Sequence, residues 1–423
     1  MFGFFASQES KMRENSANWL ELAEKVYHFR RDVLPAAEVE ELQSQASGLR
    51  TLLKERAGAE KLKIAIERLE DVLRRTGGAI YPKSALVENV EFFLVAAIVI
   101  LGIRTYFVQP FKIPTNSMWP TYNGMTPEVW HKPEEAPGLA MQAVRFVLFG
   151  AQRKEVVAPE SGSVTIPVYR RLTGAGGVVP YDTVPARNWL VLPTTNREYT
   201  LYVNETAVKV RVPADFNFDW ALRDTLGLSS DQLADLADQS RRQPSNFSWV
   251  TLPIRAERGK PILSFDIITG DQLFVDRMSY HFVRPQVGQG FVFRTGNIPD
   301  IARSYGDQYY IKRLVGGPGD RMEIREPVLY RNGQPNTGAD AFSLNARRAE
   351  KYRGYFYAPD PPRGQYLFKG ETVTVPANHY MGLGDNSADS ADGRYWGFVP
   401  AKDVVGRPLF VYFPFTRHWG PAR

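Results

Sequence analysis

One serine in this chain is flanked by unusual constraint. Ser117 lies in "QPFKIPTNSMWPTYNG" (Gln109–Gly124), between Pro114 and Pro120, just after an apolar run. A serine hydroxyl is a weak nucleophile until a base takes its proton. The chain has five histidines, His28, His131, His281, His379 and His418, and none lies near Ser117 in sequence. A lysine held neutral is the alternative base, because Ser–Lys pairs recur among serine hydrolases. A free lysine titrates near 10.4, so about 0.1% of it is neutral near pH 7.4. Desolvation lowers that value by several units and turns the amine into a working base.

A candidate lysine stands in "YYIKRLVGGPGDRMEI". Lys312 follows the apolar Tyr309–Ile311, and on a strand it would face away from Ile311 and Arg313. Taken alone, this pattern favours an exposed strand lysine. A third stretch, "GLGDNSADSADGRYWGFVP" (Gly382–Pro400), is dense in small and polar residues, among them Asp385, Ser387, Asp389, Ser390 and Asp392. Its composition reads as a loop, and its carboxylate spacing does not match a calcium-binding EF-hand.

These side chains need a scaffold, and the bulk properties bound it. A chain of 423 residues, 43% hydrophobic and 23% charged, has room for two or three domains. The net charge of +6 is modest and Lys and Arg are scattered, so no nucleic-acid partner is expected. The absence of cysteine excludes disulfides, thiolate metal sites and cysteine nucleophiles. The histidines lack the close spacing of a metal pair, so they read as structural or surface groups, and neither metal nor cofactor is expected.

"MFGFF" at the N-terminus is apolar but too short for a secretory segment, and could dip into an interface. A helix is expected over about Ser7–Arg31, broken by Pro35, and a second over about Ala36–Arg75. Leu62, Ile66, Leu69 and Leu73 repeat at heptad spacing, and Leu42, Leu49 and Leu52 or Leu53 extend the stripe, giving a helical hairpin or short coiled coil over 1–78. Phe92–Ile103 is uninterrupted apolar, and the run to Val108 is at the short end of what spans a bilayer, so residues 86–109 are expected to cross a membrane. Arg104 would snorkel near the far end. Arg74, Arg75 and Lys83 precede this span and Lys112 alone follows it closely, which places the N-terminus in the cytoplasm.

Beyond the span the chain reads as mainly β. Alternating runs such as "YTLYVNETAVKVRV" and "GETVTVPANHY" are separated by Gly, Pro and Asn, and Asn332-Gly333 signals a hairpin. One helical patch is expected within Asp215–Arg242, with Ser230 as an N-cap before "DQLADLADQ". The amphipathic Leu139–Phe149 would lie on a membrane surface or pack on the core. The sequons at Asn204 and Asn246 carry little weight.

Taken together, "IPTNSMWPT", "YIKRLVGGPGD" and "GDNSADSADGRYWGFVP", in that order after an apolar span, closely resemble the bacterial type I signal peptidases. "TGDQLFVDRMSY" (Thr269–Tyr280) fits the same family. The resemblance covers about Phe92–Pro120 and Thr269–Val411. It implies a mainly β fold, with an antiparallel sheet or barrel-like catalytic domain formed by 110–120 and 269–423. An α+β accessory segment, 121–268, is inserted between them. It implies a serine endopeptidase of the bacterial cytoplasmic membrane, with its catalytic domain on the outer side. Its substrates would be exported preproteins with small residues at −1 and −3, met close to the Sec translocon and the lipid bilayer.

Carried over residue by residue, the resemblance makes Ser117 the nucleophile and Lys312 the general base. Thr115 and the Ser117 N–H would form the oxyanion hole. Ser390 would orient the lysine, and Asp392, Arg394, Arg313 and Met118 would support the site. Four departures stand out: Asn116 where a small residue is usual, Trp119 beside the site, Ser387-Ala388 in place of a common Arg-Asp, and Gln289 in place of a common Asp. Two other classes compete with this reading. A silent membrane-anchored scaffold has no reason to keep the Ser–Lys–Thr–Ser set. A self-cleaving repressor-type Ser–Lys protease is disfavoured by the span and by the lack of an obvious self-cleavage linker.

Overall fold

The computed structural model describes residues 8–83, 85–169, 179–188, 192–228, 232, 247–359, 361 and 364–422. "MFGFF", the Ser230 cap with the segment after it, and the Asn246 sequon lie outside the described residues, apart from position 232. The chain divides into two compact units, Met1–Leu101 and Gly102–Arg423.

In the first unit, α1 (Gln8–Arg30), α2 (Ala36–Lys54) and α3 (Ala59–Thr76) pack around Val26, Leu42, Leu49, Leu62, Leu69 and Leu73. The expected single helix over 36–75 is in fact two. Arg56 adopts a left-handed φ of 53°, and Gly58 is the N-cap of α3. The break lets the two leucine stripes face one another, so each helix buries its own stripe against its neighbour. The hairpin is therefore a three-helix unit.

The apolar run forms α4 (Ala85–Tyr106), 22 residues with no buried side chain. It is the one described helix long and apolar enough to cross a membrane. At about 1.5 Å per residue it is about 33 Å long, matching a hydrocarbon core of about 30 Å. It ends short of the expected residue 109 because Val108 already belongs to a strand.

The second unit is mainly antiparallel β. Its largest sheet has eight strands. Across it run Val108–Lys112, Gln272–Asp276, Val404–Phe413, Gly290–Arg294, Tyr309–Gly316, His379–Leu383 and Val399–Pro400, with Gly420–Pro421 paired to Val404–Phe413. The strand that leaves α4 thus pairs with one far along the chain, Gln109 opposite Val275. Ile113, Met118, Leu273, Val275, Val292 and Val411 form the core under the first strands. A four-stranded sheet contains the hairpin Val328–Arg331/Gln334–Pro335. Its turn residues Asn332 and Gly333 both have positive φ, 55° and 79°, as a tight primed turn requires.

The segment between these halves builds a three-stranded sheet (Thr126–Val129, Pro261–Ile268, Gln152–Val157) and a five-stranded one. The two share one apolar core that includes Val164, Leu201, Phe216, Phe218 and Phe265. Its first and last strands pair directly, Thr126 opposite Ile268. Just outside them Asp271 N–H donates to Asn123 O at 2.8 Å, and Asn123 N–H donates to the Asp271 carboxylate at 2.7 Å.

Among the described residues of this segment, two helices can be given bounds. α5 (Leu139–Phe149) buries none of its side chains, which rules out core packing for Leu139–Phe149. Arg145 ties it to Asp266 at 2.9 Å and Glu128 at 2.5 Å, and the carbonyls of Leu148 and Phe149 accept Phe415 N–H (3.0 Å) and Thr269 N–H (3.3 Å). α6 (Phe218–Leu226) covers part of the expected 215–242 patch. It is capped by Asn217, which accepts from Trp220 N–H, and closed by Gly227 in the left-handed region.

Candidate active site

Ser117 sits in a single 3-10 turn, Asn116–Met118, between extended Thr115 and Trp119. The turn is tied on both sides. Met118 is fully buried, and its carbonyl accepts from Thr121 and Tyr122 N–H at 3.0 Å each. The Asn116 amide donates to Met125 O and accepts from Gly124 N–H, both at 2.9 Å. Asn386 donates from its side chain to Asn116 O at 2.9 Å and from its backbone to Ser117 O at 3.1 Å. Asn116, an outlier in sequence, is therefore a bracket that secures the serine turn.

Lys312 is buried, 3% exposed, contrary to what its strand pattern alone favours. It pairs with Phe291 across the sheet, and its Nζ donates to Ser390 Oγ at 3.2 Å. Thr115, Ser117 and Lys312 open onto one cavity of about 480 Å³. Its other walls include Phe111, Ile113, Val292, Tyr310 and Ile311. Burial in these surroundings pulls the Lys312 amine down to about 8; Asp392 and Asp385 pull it up and Arg394 pushes it further down, but desolvation dominates. No described hydrogen bond joins Lys312 to Ser117. Such bonds commonly tighten only when substrate is bound.

Two buried ion pairs frame the lysine. Arg394 bonds Asp392 through Nε and one terminal nitrogen, each at 2.9 Å, and also caps the carbonyls of Phe356 (2.9 Å) and Ser387 (2.6 Å). Asp392 in turn accepts Gly384 N–H at 2.9 Å. Burial pushes the Asp392 carboxyl up, but Arg394, Lys312 and the Gly384 N–H together hold it below its ordinary value. Arg313 points to the opposite face of the strand, as its neighbour position dictates. It binds Asp385 through both Nε (3.1 Å) and a terminal nitrogen, and donates to Gly288 O at 2.8 Å. The four supporting residues named from sequence are thus close to the lysine or the serine turn, and none is a surface group.

The departures are structurally filled. Ser387 Oγ accepts Phe356 N–H at 3.0 Å, and Gln289 accepts from Tyr280 OH at 2.9 Å. Trp119 packs edge-to-face on Trp220 of α6, ring centroids 5.5 Å apart. Sequence reasoning missed two glycines. A Cβ on Gly384 would meet Ser390 Oγ at 2.2 Å and Ser117 O at 2.4 Å; one on Gly382 would meet the Phe291 ring at 3.0 Å and Lys312 Cβ at 3.1 Å. The available signal was "GLG", two glycines on one face of a strand. Asp385 and Asn386 were visible only as members of a polar loop.

A model of the family "Signal peptidase, peptidase S26" matches residues 263–413. This segment belongs to the signal peptidase S26 family. It holds Lys312, Ser390, Asp392 and Arg394; Thr115 and Ser117 lie outside it. Similar curated proteins include a probable signal peptidase I-1 from Synechocystis, 33% identical over 36% of this chain and 66% of its own length. The signal peptidase I of Leptolyngbya laminosa is 28% identical over 35% and 62% respectively. The chain thus spans about two thirds or less of the relatives it matches. Among solved structures, a signal peptidase I from Enterococcus faecalis is 29% identical, covering 30% of this chain and 97% of that one with a TM-score of 0.22.

Proposed function

We propose that the protein is a membrane-anchored serine endopeptidase that removes signal peptides from exported preproteins, with Ser117 as nucleophile and Lys312 as general base. The observation that carries this reading is a buried, desolvated lysine amine in the same cavity as a bracketed serine. S26 family membership of the lysine half supports it.

Neutral Lys312 takes the Ser117 proton as Ser117 Oγ bonds to the scissile carbonyl carbon. The carbonyl electron pair moves onto oxygen, where the Thr115 hydroxyl and Ser117 N–H donate to it. The intermediate collapses, the C–N bond breaks, and protonated Lys312 gives its proton to the leaving amine. Water then cleaves the acyl-enzyme with Lys312 again as base. The apolar walls at Ile113, Val292 and Tyr310 suit small apolar residues at −1 and −3, bound as an extended strand. α4 supplies the anchor, and the basic residues before it favour a cytoplasmic N-terminus, which puts the site on the outer face beside emerging Sec substrates.

The test is cleavage of a labelled preprotein carrying Ala-X-Ala by full-length protein in lipid vesicles. Because the folded-state lysine titrates below its free value, the neutral form prevails above about pH 8. The expected kcat/KM therefore rises with pH and levels off above about 8, falling about tenfold per unit below it. No cleavage anywhere between about pH 6 and 10 would end this reading.

A further inference from the structure

The catalytic cavity does not stop at Ser117. A second, larger groove of about 680 Å³ begins at Thr115, Asn116 and Trp119 and continues onto the inserted segment. That volume is within the ~300–1,000 Å³ typical of ligand sites. Thr115, Asp215 and Asp389 line both spaces, so the two adjoin beside the serine turn. Along the segment that carries the serine, Phe111 to Thr115 and Ser117 border the apolar cavity, and Thr115, Asn116 and Trp119 border the groove.

The two spaces differ in chemistry. The first is walled mostly by aliphatic and aromatic side chains, with Lys112, Lys312, Asp215 and Asp389 as its charged members. The second is aromatic and charged: it carries Arg197 stacked on Tyr181 (4.5 Å to the ring centroid), with Tyr199, Trp220, Asp219, Arg223 and Asp224. Trp220 holds the insert to the serine turn through Trp119. At the junction Asp389 pairs with Arg353 at 3.2 Å, whereas Asp215, contributed by the insert and exposed, forms no ion pair with a described residue.

We propose that the inserted segment completes the substrate site: the groove takes the first residues of the mature chain, and Asp215 makes the enzyme prefer basic over acidic side chains just after the cleavage point. The proposal rests on the signal-peptidase reading. If the small residues before the scissile bond occupy the apolar cavity, an extended peptide crossing Ser117 carries its mature side into the adjoining groove. There a carboxylate attracts Lys or Arg and repels Asp or Glu, and because Asp215 is exposed both effects weaken as salt rises.

The test uses full-length protein and substrates identical up to the cleavage point, with Lys or Glu at the first two mature positions. Wild-type kcat/KM is expected to favour the Lys substrate by about tenfold at low salt. The ratio should fall towards one in Asp215→Asn and invert in Asp215→Lys. Because the readout is a ratio, a general loss of activity cancels. An unchanged ratio in both variants overturns the proposal. A second arm needs no chemistry: Ser117→Ala protein is titrated with the same uncleaved peptides, followed by tryptophan fluorescence. Tighter binding of the Lys peptide, lost in Ser117→Ala/Asp215→Asn, supports the groove even if wild type cleaves nothing, which would reject the protease reading alone. Cleavage and binding without charge preference reject the groove alone.

Discussion

Lys312→Met is expected to lower kcat/KM for preprotein cleavage by about 10⁴-fold or more, and to do so at every pH. Methionine keeps the length and apolar stem of lysine but cannot accept a proton. Ser117→Ala should cause a loss of similar size, and the double variant little further loss, because a nucleophile and its base act as a unit. The same Lys312→Met protein should melt at a higher temperature at neutral pH. In the folded state the amine is pulled from its ordinary value down to about 8, so burial disfavours its charged form. Below about 8 folding carries that penalty in full; as pH rises towards the free value the unfolded chain holds more protons, and stability climbs. A shift of this size corresponds to an effect on the order of 3 kcal/mol. An inactive variant that is also more stable separates a lost base from a lost fold. Retention of more than about a hundredth of wild-type activity would reject Lys312 as the base.

Arg313→Met should be the most destabilising change near the site. Arg313 is 2% exposed, and its partner Asp385 is fully buried. Removing the guanidinium leaves a buried carboxylate with the Thr121 hydroxyl (2.6 Å) as its remaining side-chain donor. Breaking such a pair costs about 3–5 kcal/mol, or a melting shift of roughly 10 °C in a domain this large. Thermal unfolding in detergent measures it. Arg313→Met/Asp385→Leu should recover much of the loss, because no charge is then stranded. If the single variant melts within about 1 °C of wild type, the pair does not hold the Asp385 loop in place.

How far the sequence foretold this structure depended on whether the signal was local. The leucine stripes, the apolar helix and the Asn332-Gly333 turn are all written within a few residues, and all form. The break at Arg56–Gly58 was missed because its one local cue, Gly58, sits in an otherwise helical pattern. Lys312 shows the opposite case. Its own strand pattern points to exposure, and only the far-off Ser390, Phe291 and Gly382 bury it. Trp119 and Asn116 could be seen as unusual but not explained, since their partners Trp220 and Asn386 are distant in the chain. Asp215 had no sequence signal at all, because its place beside the cavity follows from how a separate sheet docks.

The pairing of Thr126 with Ile268, closed by Asn123 and Asp271, has an evolutionary consequence. Viewed from the catalytic sheet, everything between those residues is the loop of one β-hairpin. The entropy of closing a loop grows only logarithmically, about 0.6 kcal/mol per doubling of length, so the frame is nearly indifferent to what the loop contains. A module whose chain enters and leaves through one neck can be gained, shortened or exchanged in one genetic step while the serine and lysine keep their places. The sheet that carries the lysine and the inserted module are thereby free to evolve at different speeds.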